Sequence, residues 1–253
     1  MNGESLRTRD GVSLRLSRIG SGQRDAILVV PGIFMHRDGP EHRLLAARLS
    51  PLADVVTMDV RGHGDSGGAF SFGAREPEDV AEVEAFLRRD HDRVLGLGFS
   101  FGGFHTCVAA ALHGSFDAIA LVGTPHRLFI LDHNFVGRGL LRSLGPMARR
   151  RRRRTRVLPG LPLRRAVPSR LIGRVAPRAV LIVHGSDDWL IPPKHAERLF
   201  ASAAEPKHLV MIERGLHAEN MLVVEPTPLL LALESFFAQR LGRARVQSEE
   251  ESG

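Results

Sequence analysis

The stretch GLGFSFGGFH, residues 96–105, sets Ser100 between Gly98 and Gly102, with Gly103 directly behind. The apolar run DRVLGLGFS before it (92–100) predicts a buried strand, and the residues after it predict a helix over 101–112. Only a sharp turn fits between the two, and glycines on both sides remove the side chains that would collide there. Taken alone, G-x-S-x-G reads equally well as a tight glycine turn or as an elbow that presents a serine hydroxyl. The rest of the chain has to decide between them.

Outward from this stretch, short β-rich apolar runs alternate with longer segments of helical periodicity. VSLRLSRI alternates apolar and polar residues like a half-exposed edge strand. The runs 25–32, 53–62, 116–123, 178–185 and 207–215 each end in a loop containing Gly, Pro, Ser or Asp. Helices are predicted at 40–49, 77–89, 193–204 and 226–240, the second opened by Pro77 among Glu76, Glu78 and Asp79. The pattern predicts an α/β fold: a mostly parallel, doubly wound sheet of about eight strands with helices on both faces. Loops after parallel strands emerge at one edge of such a sheet, so residues far apart in sequence meet there.

The rhythm breaks from about Pro125 to Pro177, where the composition turns arginine-rich. Residues 126–178 hold fifteen arginines and one acid, Asp132, a balance of +14 that leaves −7 on the rest of a chain whose net charge is +7. The protein therefore reads as an acidic body, 1–124 and 178–242, with a basic lid insertion at 125–177 and a frayed tail at 243–253. Within the insertion, Arg149 to Arg154 cannot all be buried and read as a solvated stretch. The functional alternatives are attraction of an anionic membrane surface or of a phosphorylated substrate such as an acyl-CoA, or closure onto the acidic body. No aromatic residue interleaves with the run, so no specific nucleic acid is expected. One cysteine, Cys107, excludes an internal disulfide and a cysteine-rich zinc site. The polar start MNGESLRTRDG has no signal-peptide core and no apolar run is long enough to cross a bilayer, so the chain reads as cytoplasmic.

A serine is a weak nucleophile unless a base stands within hydrogen-bond reach, an acid orients that base, and donors await the developing oxyanion. The order of Ser100, the segment HGSDDWLIPP (184–193) and the segment ERGLHAEN (213–220) resembles that of the α/β-hydrolases, whose chain order is serine, acid, histidine. HGSDD resembles that family's H-G-x-x-D segment and implies Asp188 as the acid, with Asp187 as the alternative. Gly215-Leu216-His217 resembles its G-x-x-H loop, one residue shorter, and implies His217 as the base. VVPGIFMHRDGP resembles its H-G-x oxyanion loop, with Pro31 where the family has histidine. That departure removes a side chain that braces the loop and keeps the backbone donor. The resemblance thus implies an oxyanion hole of the Ile33 and Phe101 N–H groups, with Phe34 as the alternative to Ile33. MDVRGHGDSGG (58–68) resembles the family's D-x-R-G-x-G-x-S segment, in which Asp59 and Arg61 would brace a loop.

The resemblance covers the chain outside the insertion. A serine at the elbow, and not an aspartate, argues against the dehalogenase and epoxide-hydrolase branches. What it implies is a serine hydrolase acting on a small-molecule carboxylic ester or thioester with an apolar acyl part, with no cofactor and no metal. Phe34, Phe99 and Phe129 are the candidate pocket residues. His36 and His42 read as solvated loop histidines, Cys107 as a buried small hydrophobe, and His105 as a residue covering its helix. The rival readings are a non-catalytic binding protein on the same fold, and an anionic-membrane or nucleic-acid binder working through the arginine-rich lid.

Overall fold

The computed structural model describes residues 2–128, 155–157 and 166–243. The arginine run, Phe129 and the tail beyond Arg243 lie outside them. In chain order the elements are β1 (Asn2–Arg7), β2 (Ser13–Ile19), β3 (Asp25–Val30), α1 (Pro40–Leu49), β4 (Asp54–Asp59) and α2 (Glu76–Leu87). Next come β5 (Arg93–Phe99), α3 (Phe101–His113), β6 (Ala118–Val122), α4 (Pro168–Leu171) and a 3₁₀ turn (Ile172–Val175). The chain closes with β7 (Ala179–Gly185), α5 (Lys194–Ser202), β8 (Lys207–Ile212), α6 (Asn220–Val224) and α7 (Pro226–Arg240).

Eight strands form one sheet in the order β1-β2-β4-β3-β5-β6-β7-β8. The pairs β1/β2 and β2/β4 are antiparallel, and every pair from β4/β3 onward is parallel. The sheet class predicted from the runs is the one observed. Its central strands read as continuous apolar runs because both faces are covered. One face packs α2, α3 and α5 through Val80, Val83, Phe104, Val108 and Leu199, and the other packs α1 and α7 through Leu45, Leu49, Leu229 and Leu233.

Local chemistry sets the helix bounds. In α1, Pro40 opens the first turn, Glu41 faces the positive helix end and Arg48 the negative one. Its buried residues His42, Leu45, Ala46 and Leu49 follow the 3.6-residue period. Helix α3 stops at Gly114, whose φ of 69° is left-handed. Part of the predicted insertion packs on the body: Ile172 and Val175 are buried in the same core as α3. Arg156 also docks there, its carbonyl accepting from Phe70 N–H at 2.7 Å and its own N–H donating to Gly62 at 2.8 Å.

Strand order places the site. From β3 the chain moves to one side, to β4, and from β5 to the other, to β6. The loops leaving β3 and β5 therefore diverge and open a crevice at the carboxyl edge of the sheet. Beside it, Arg61 is buried on Asp79 and pairs with the half-exposed Asp10 at 2.9 Å. Removing one partner of a buried pair leaves the other charge uncompensated. Arg61→Leu is expected to lower unfolding stability by about 3–5 kcal/mol. Addition of Asp79→Leu should recover much of that loss, as read from denaturant melts of the two variants.

Candidate active site

Ser100 occupies the one-residue turn between β5 and α3, with φ 49° and ψ −116°. This is a left-handed backbone for a residue with a side chain, a conformation that persists only where its surroundings enforce it. The enforcement is visible. Ser100 N–H donates to Val122 at 2.8 Å, and Ser100 carbonyl accepts from Phe104 at 3.1 Å. A Cβ on Gly98 would lie 2.5 Å from Gly103 Cα, and one on Gly102 would run into the Val30 carbonyl. Glycine is the residue that lets strand, turn and helix approach this closely.

Around this turn the structure brings together the three residues that the family's order implies. His217 Nε2 is 3.0 Å from Ser100 Oγ, and His217 Nδ1 is 2.7 Å from Asp188 Oδ2. All three side chains are buried. The other oxygen of Asp188 accepts from the Leu190 and Ile191 N–H groups at 3.0 and 2.8 Å, which fixes the carboxylate. His184 adds a third neighbour, its Nε2 3.3 Å from Asp188 Oδ2 and 2.7 Å from the Ile191 carbonyl. Asp187, the alternative acid, is exposed; its N–H donates to Gly215 and its carboxylate accepts from Ser186 Oγ at 3.1 Å. The acid facing His217 is Asp188.

A series of backbone bonds runs from loop to loop beyond the strand ends. Ser100 N–H reaches Val122, Gly123 N–H reaches Val183, Ser186 N–H reaches Ile212 and Asp187 N–H reaches Gly215. The sheet ladder is thereby prolonged through the segments that carry the serine, the acid and the histidine.

Charge follows geometry. Burial alone would raise the Asp188 carboxyl, yet His217 and His184 outweigh it and hold the group well below its usual range. Burial would likewise push His217 down, but the Asp188 charge and hydrogen bond, with help from the Glu219 charge, raise it. A hydroxyl bonded to an imidazole whose far nitrogen faces a fixed carboxylate can pass its proton to that imidazole.

The remaining sequence-predicted residues divide. Ile33 and Phe34 lie in the loop after β3, pressed against the elbow: a Cβ on the preceding Gly32 would be 3.3 Å from Ser100 Cβ. Among the described residues neither the Ile33 nor the Phe34 N–H has an acceptor. Phe34 is half-buried with φ 64°, its ring 6.4 Å from that of His63. Phe101 is the first residue of α3, directly after Ser100. Phe99 is a correction to the predicted pocket. It shares its strand face with Leu95 and Leu97 and is fully buried among Leu45, Leu49 and Val122, on the side of the sheet opposite Phe101. Phe129 lies outside the described residues.

His42 is a second correction. It is not solvated but buried on the inner face of α1, its ring set edge-on 6.0 Å from Phe99. Cys107 is buried, and burial pushes its thiol up to about 12. His105 is buried too, where desolvation pushes it down to about 4, and neither ring nitrogen has a hydrogen-bond partner among the described residues. Asp59 braces its loop through the Arg37 and Asp65 N–H groups at 2.8 and 2.9 Å. Sequence reasoning missed Glu219, which is buried two residues beyond His217 and accepts the Gly32 N–H at 2.7 Å. A single glutamate in a loop carries no signal of burial, because most are solvated.

Comparison with known proteins agrees with this fold. A family model described as the alpha/beta hydrolase fold matches residues 25–145. A structure of DcsB in complex with its substrate analogue superposes with a TM-score of 0.80 at 17% identity, covering 95% of this chain and 99% of that one. The esterase RhEst1 from Rhodococcus sp. ECU1013 superposes at 0.74 and 18% identity, covering 94% of this chain and 99% of that one. The protein YfhR of Salmonella typhimurium, described as uncharacterized, is 28% identical over 178 residues, or 66% of this chain and 55% of that protein. The chain thus spans about half the length of the curated relatives it matches, which were 55% and 56% covered for YfhR and for YqkD of Bacillus subtilis. The chain has the alpha/beta hydrolase fold. Among the described residues no helix is long and apolar enough to cross a membrane.

The raised His217 and depressed Asp188 give the site a defined pH dependence. The His217 contribution to stability is complete below about pH 6.5, its ordinary value, and is lost as pH rises through the higher folded value. That of Asp188 is present above about pH 3.9 and is lost as pH falls toward its depressed folded value. In an NMR titration the His217 ring should change charge above its ordinary value in the wild type. It should do so at lower pH in Asp188→Asn.

Proposed function

We propose that the protein is a serine hydrolase that cleaves a carboxylic ester or thioester with an apolar acyl part through an acyl-enzyme on Ser100. The observation that carries this reading is the line of contacts from Ser100 Oγ to His217 Nε2 at 3.0 Å and from His217 Nδ1 to Asp188 at 2.7 Å. In this reading Ser100 Oγ attacks the substrate carbonyl carbon while its proton passes to His217 Nε2. Asp188 holds the imidazolium that forms. The negative charge on the former carbonyl oxygen is received by the Ile33 and Phe101 N–H groups. Collapse of this intermediate breaks the bond to the alcohol or thiol, which leaves with the proton from His217. Water, deprotonated by the same histidine, then hydrolyses the acyl-enzyme and regenerates Ser100.

Preference for an apolar acyl part is supported by the half-buried Ile33, Phe72 and Leu128, which pack against the cluster holding Phe70 and Phe101. Esterase chemistry is consistent with the fold shared with the esterase RhEst1. A basic lid that draws in an anionic membrane surface or a phosphorylated substrate remains part of the proposal, carried by Arg149 to Arg154 in the sequence alone.

A fluorophosphonate probe should label the folded wild type and not Ser100→Ala. Against a p-nitrophenyl ester, His217→Ala and Asp188→Asn are expected to lower kcat by roughly 10³–10⁴ each. Equal labelling of wild type and Ser100→Ala, or none of either, would sink the enzyme reading and leave the non-catalytic binding protein.

A further inference from the structure

Pro31 stands where the family's oxyanion loop has a histidine, and it brings neither an N–H nor a polar side chain to hold the loop. Something else must fix the peptide units that follow, because a donor aimed at a developing charge helps only if it is already oriented. The structure supplies a carboxylate. Glu219 is buried, and its Oε1 accepts the Gly32 N–H at 2.7 Å. The same oxygen lies 3.7 Å from His42 Nε2 on α1. His42 Nδ1 in turn donates to the His36 carbonyl at 3.1 Å, farther along the same loop. The carboxylate thus holds the start of the loop at Gly32, and the imidazole bonds it again at His36.

This hold has a directional consequence. The Gly32 carbonyl accepts Met35 N–H at 3.1 Å, so it points back into the turn. In a trans peptide the carbonyl and the following N–H point in opposite directions, and the Ile33 N–H is thereby turned out of the loop. Gly32 itself sits between the two machines: a Cβ there would meet Glu219 Oε1 at 3.1 Å and Ser100 Cβ at 3.3 Å.

A buried carboxylate is costly unless it is paired and hydrogen-bonded, and an apolar residue would fill the same space. Here burial, which disfavours the charge, is outweighed by His42 and the Gly32 N–H, and the Glu219 carboxyl stays below its ordinary value. Glu219 also shares a tight turn with the histidine, since Asn220 N–H donates to the His217 carbonyl at 2.9 Å. The segment that carries the imidazole toward Ser100 is the segment that grips the loop after β3.

We infer that Glu219 is a positioning residue: it holds Gly32 so that the Ile33 N–H is set for the oxyanion in register with His217. The inference rests on the serine-hydrolase reading, and its test separates the two. Three variants are needed. Glu219→Gln keeps an oxygen for Gly32, Glu219→Asp keeps the charge but falls one methylene short, and Glu219→Leu keeps the volume without an acceptor. Steady-state kinetics on p-nitrophenyl butyrate are measured beside amide hydrogen exchange of the peptide spanning 31–38.

For Glu219→Leu, kcat should fall roughly 10²–10³-fold, the loss seen when one oxyanion donor is removed, with KM changed less than about threefold. Exchange at Gly32 should rise at least tenfold, by the same order-of-magnitude reasoning that a lost bond of about 1.4 kcal/mol is a factor of ten. Glu219→Gln should recover most of both. If Glu219→Leu does not fold, Glu219→Asp decides, with a loss in kcat and in protection of at least about tenfold expected, again for one lost bond. Wild-type rate and protection in the folded Leu or Asp variant, or a Gln variant no better than Leu, overturns the inference. A wild type that neither hydrolyses the ester nor takes the probe overturns the hydrolase reading instead. Exchange at Gly32 still decides whether Glu219 holds the loop.

Discussion

The backbone of Ser100 is the constraint on which the rest of the site depends. A serine at φ 49° is strained, at a cost of about 1–3 kcal/mol, and it stays there because strand, helix and neighbouring strand leave it no other position. Its N–H is taken by Val122 and its carbonyl by Phe104, and Gly98 and Gly102 let the backbones of α3 and β3 close on the turn. A relaxed turn would need one more residue or a looser helix. Either change would move the hydroxyl away from His217, which holds it at 3.0 Å.

Around that turn the loops are ordered by buried carboxylates. Segments that leave a parallel sheet lose their ladder partners, so their N–H groups need acceptors, and a carboxylate offers several lone pairs at once. Asp188 takes Leu190 and Ile191, Glu219 takes Gly32, Asp59 takes Arg37 and Asp65, and Glu76 takes Ser71 and Gly73. The cost of burying each charge is offset by fixed dipoles, with a cation added at Asp59 and a histidine at Asp188 and Glu219. The acidic balance of the body thus has a local cause in loop geometry as well as in its exposed surface.

Much of this was legible in the sequence where periodicity or turn chemistry was strong. Helix α1 and helix α7 have the predicted bounds, because Pro40 and Pro226 open them and their apolar residues keep a helical period. Strand β1 carried no such signal: NGESLR is polar, and only its pairing with β2 makes it a strand. Helix α6 has five residues, too few to show a period. The choice between Asp187 and Asp188 turned on which side of a loop points inward, and neighbouring aspartates differ in that only once the loop is folded. Phe99 was misread for a different reason. Its alternation with Leu95 and Leu97 already assigned it to their face of the sheet, but proximity to Ser100 outweighed that reading. His42 was misread as solvated, and Glu219 missed, for a third reason, since each is ordinary alone and their meaning lies in a contact across 177 positions of the sequence.

The placement of Ser100, Asp188 and His217 belongs to the sheet more than to any one loop. Each backbone bond from Ser100 to Val122, Gly123 to Val183, Ser186 to Ile212 and Asp187 to Gly215 ties the end of one strand to the next. Such a series passes register sideways: β5 sets β6, β6 sets β7 and β7 sets β8, so the separation of serine, acid and histidine is fixed by the spacing of a parallel ladder. The loop after β3 lies on the other side of β5, where no such bond reaches it from the histidine-bearing segment. Glu219 spans that gap with a side chain where the ladder cannot. A sheet can align the three groups that move a proton, but the donor for an oxyanion across the elbow needs its own tether.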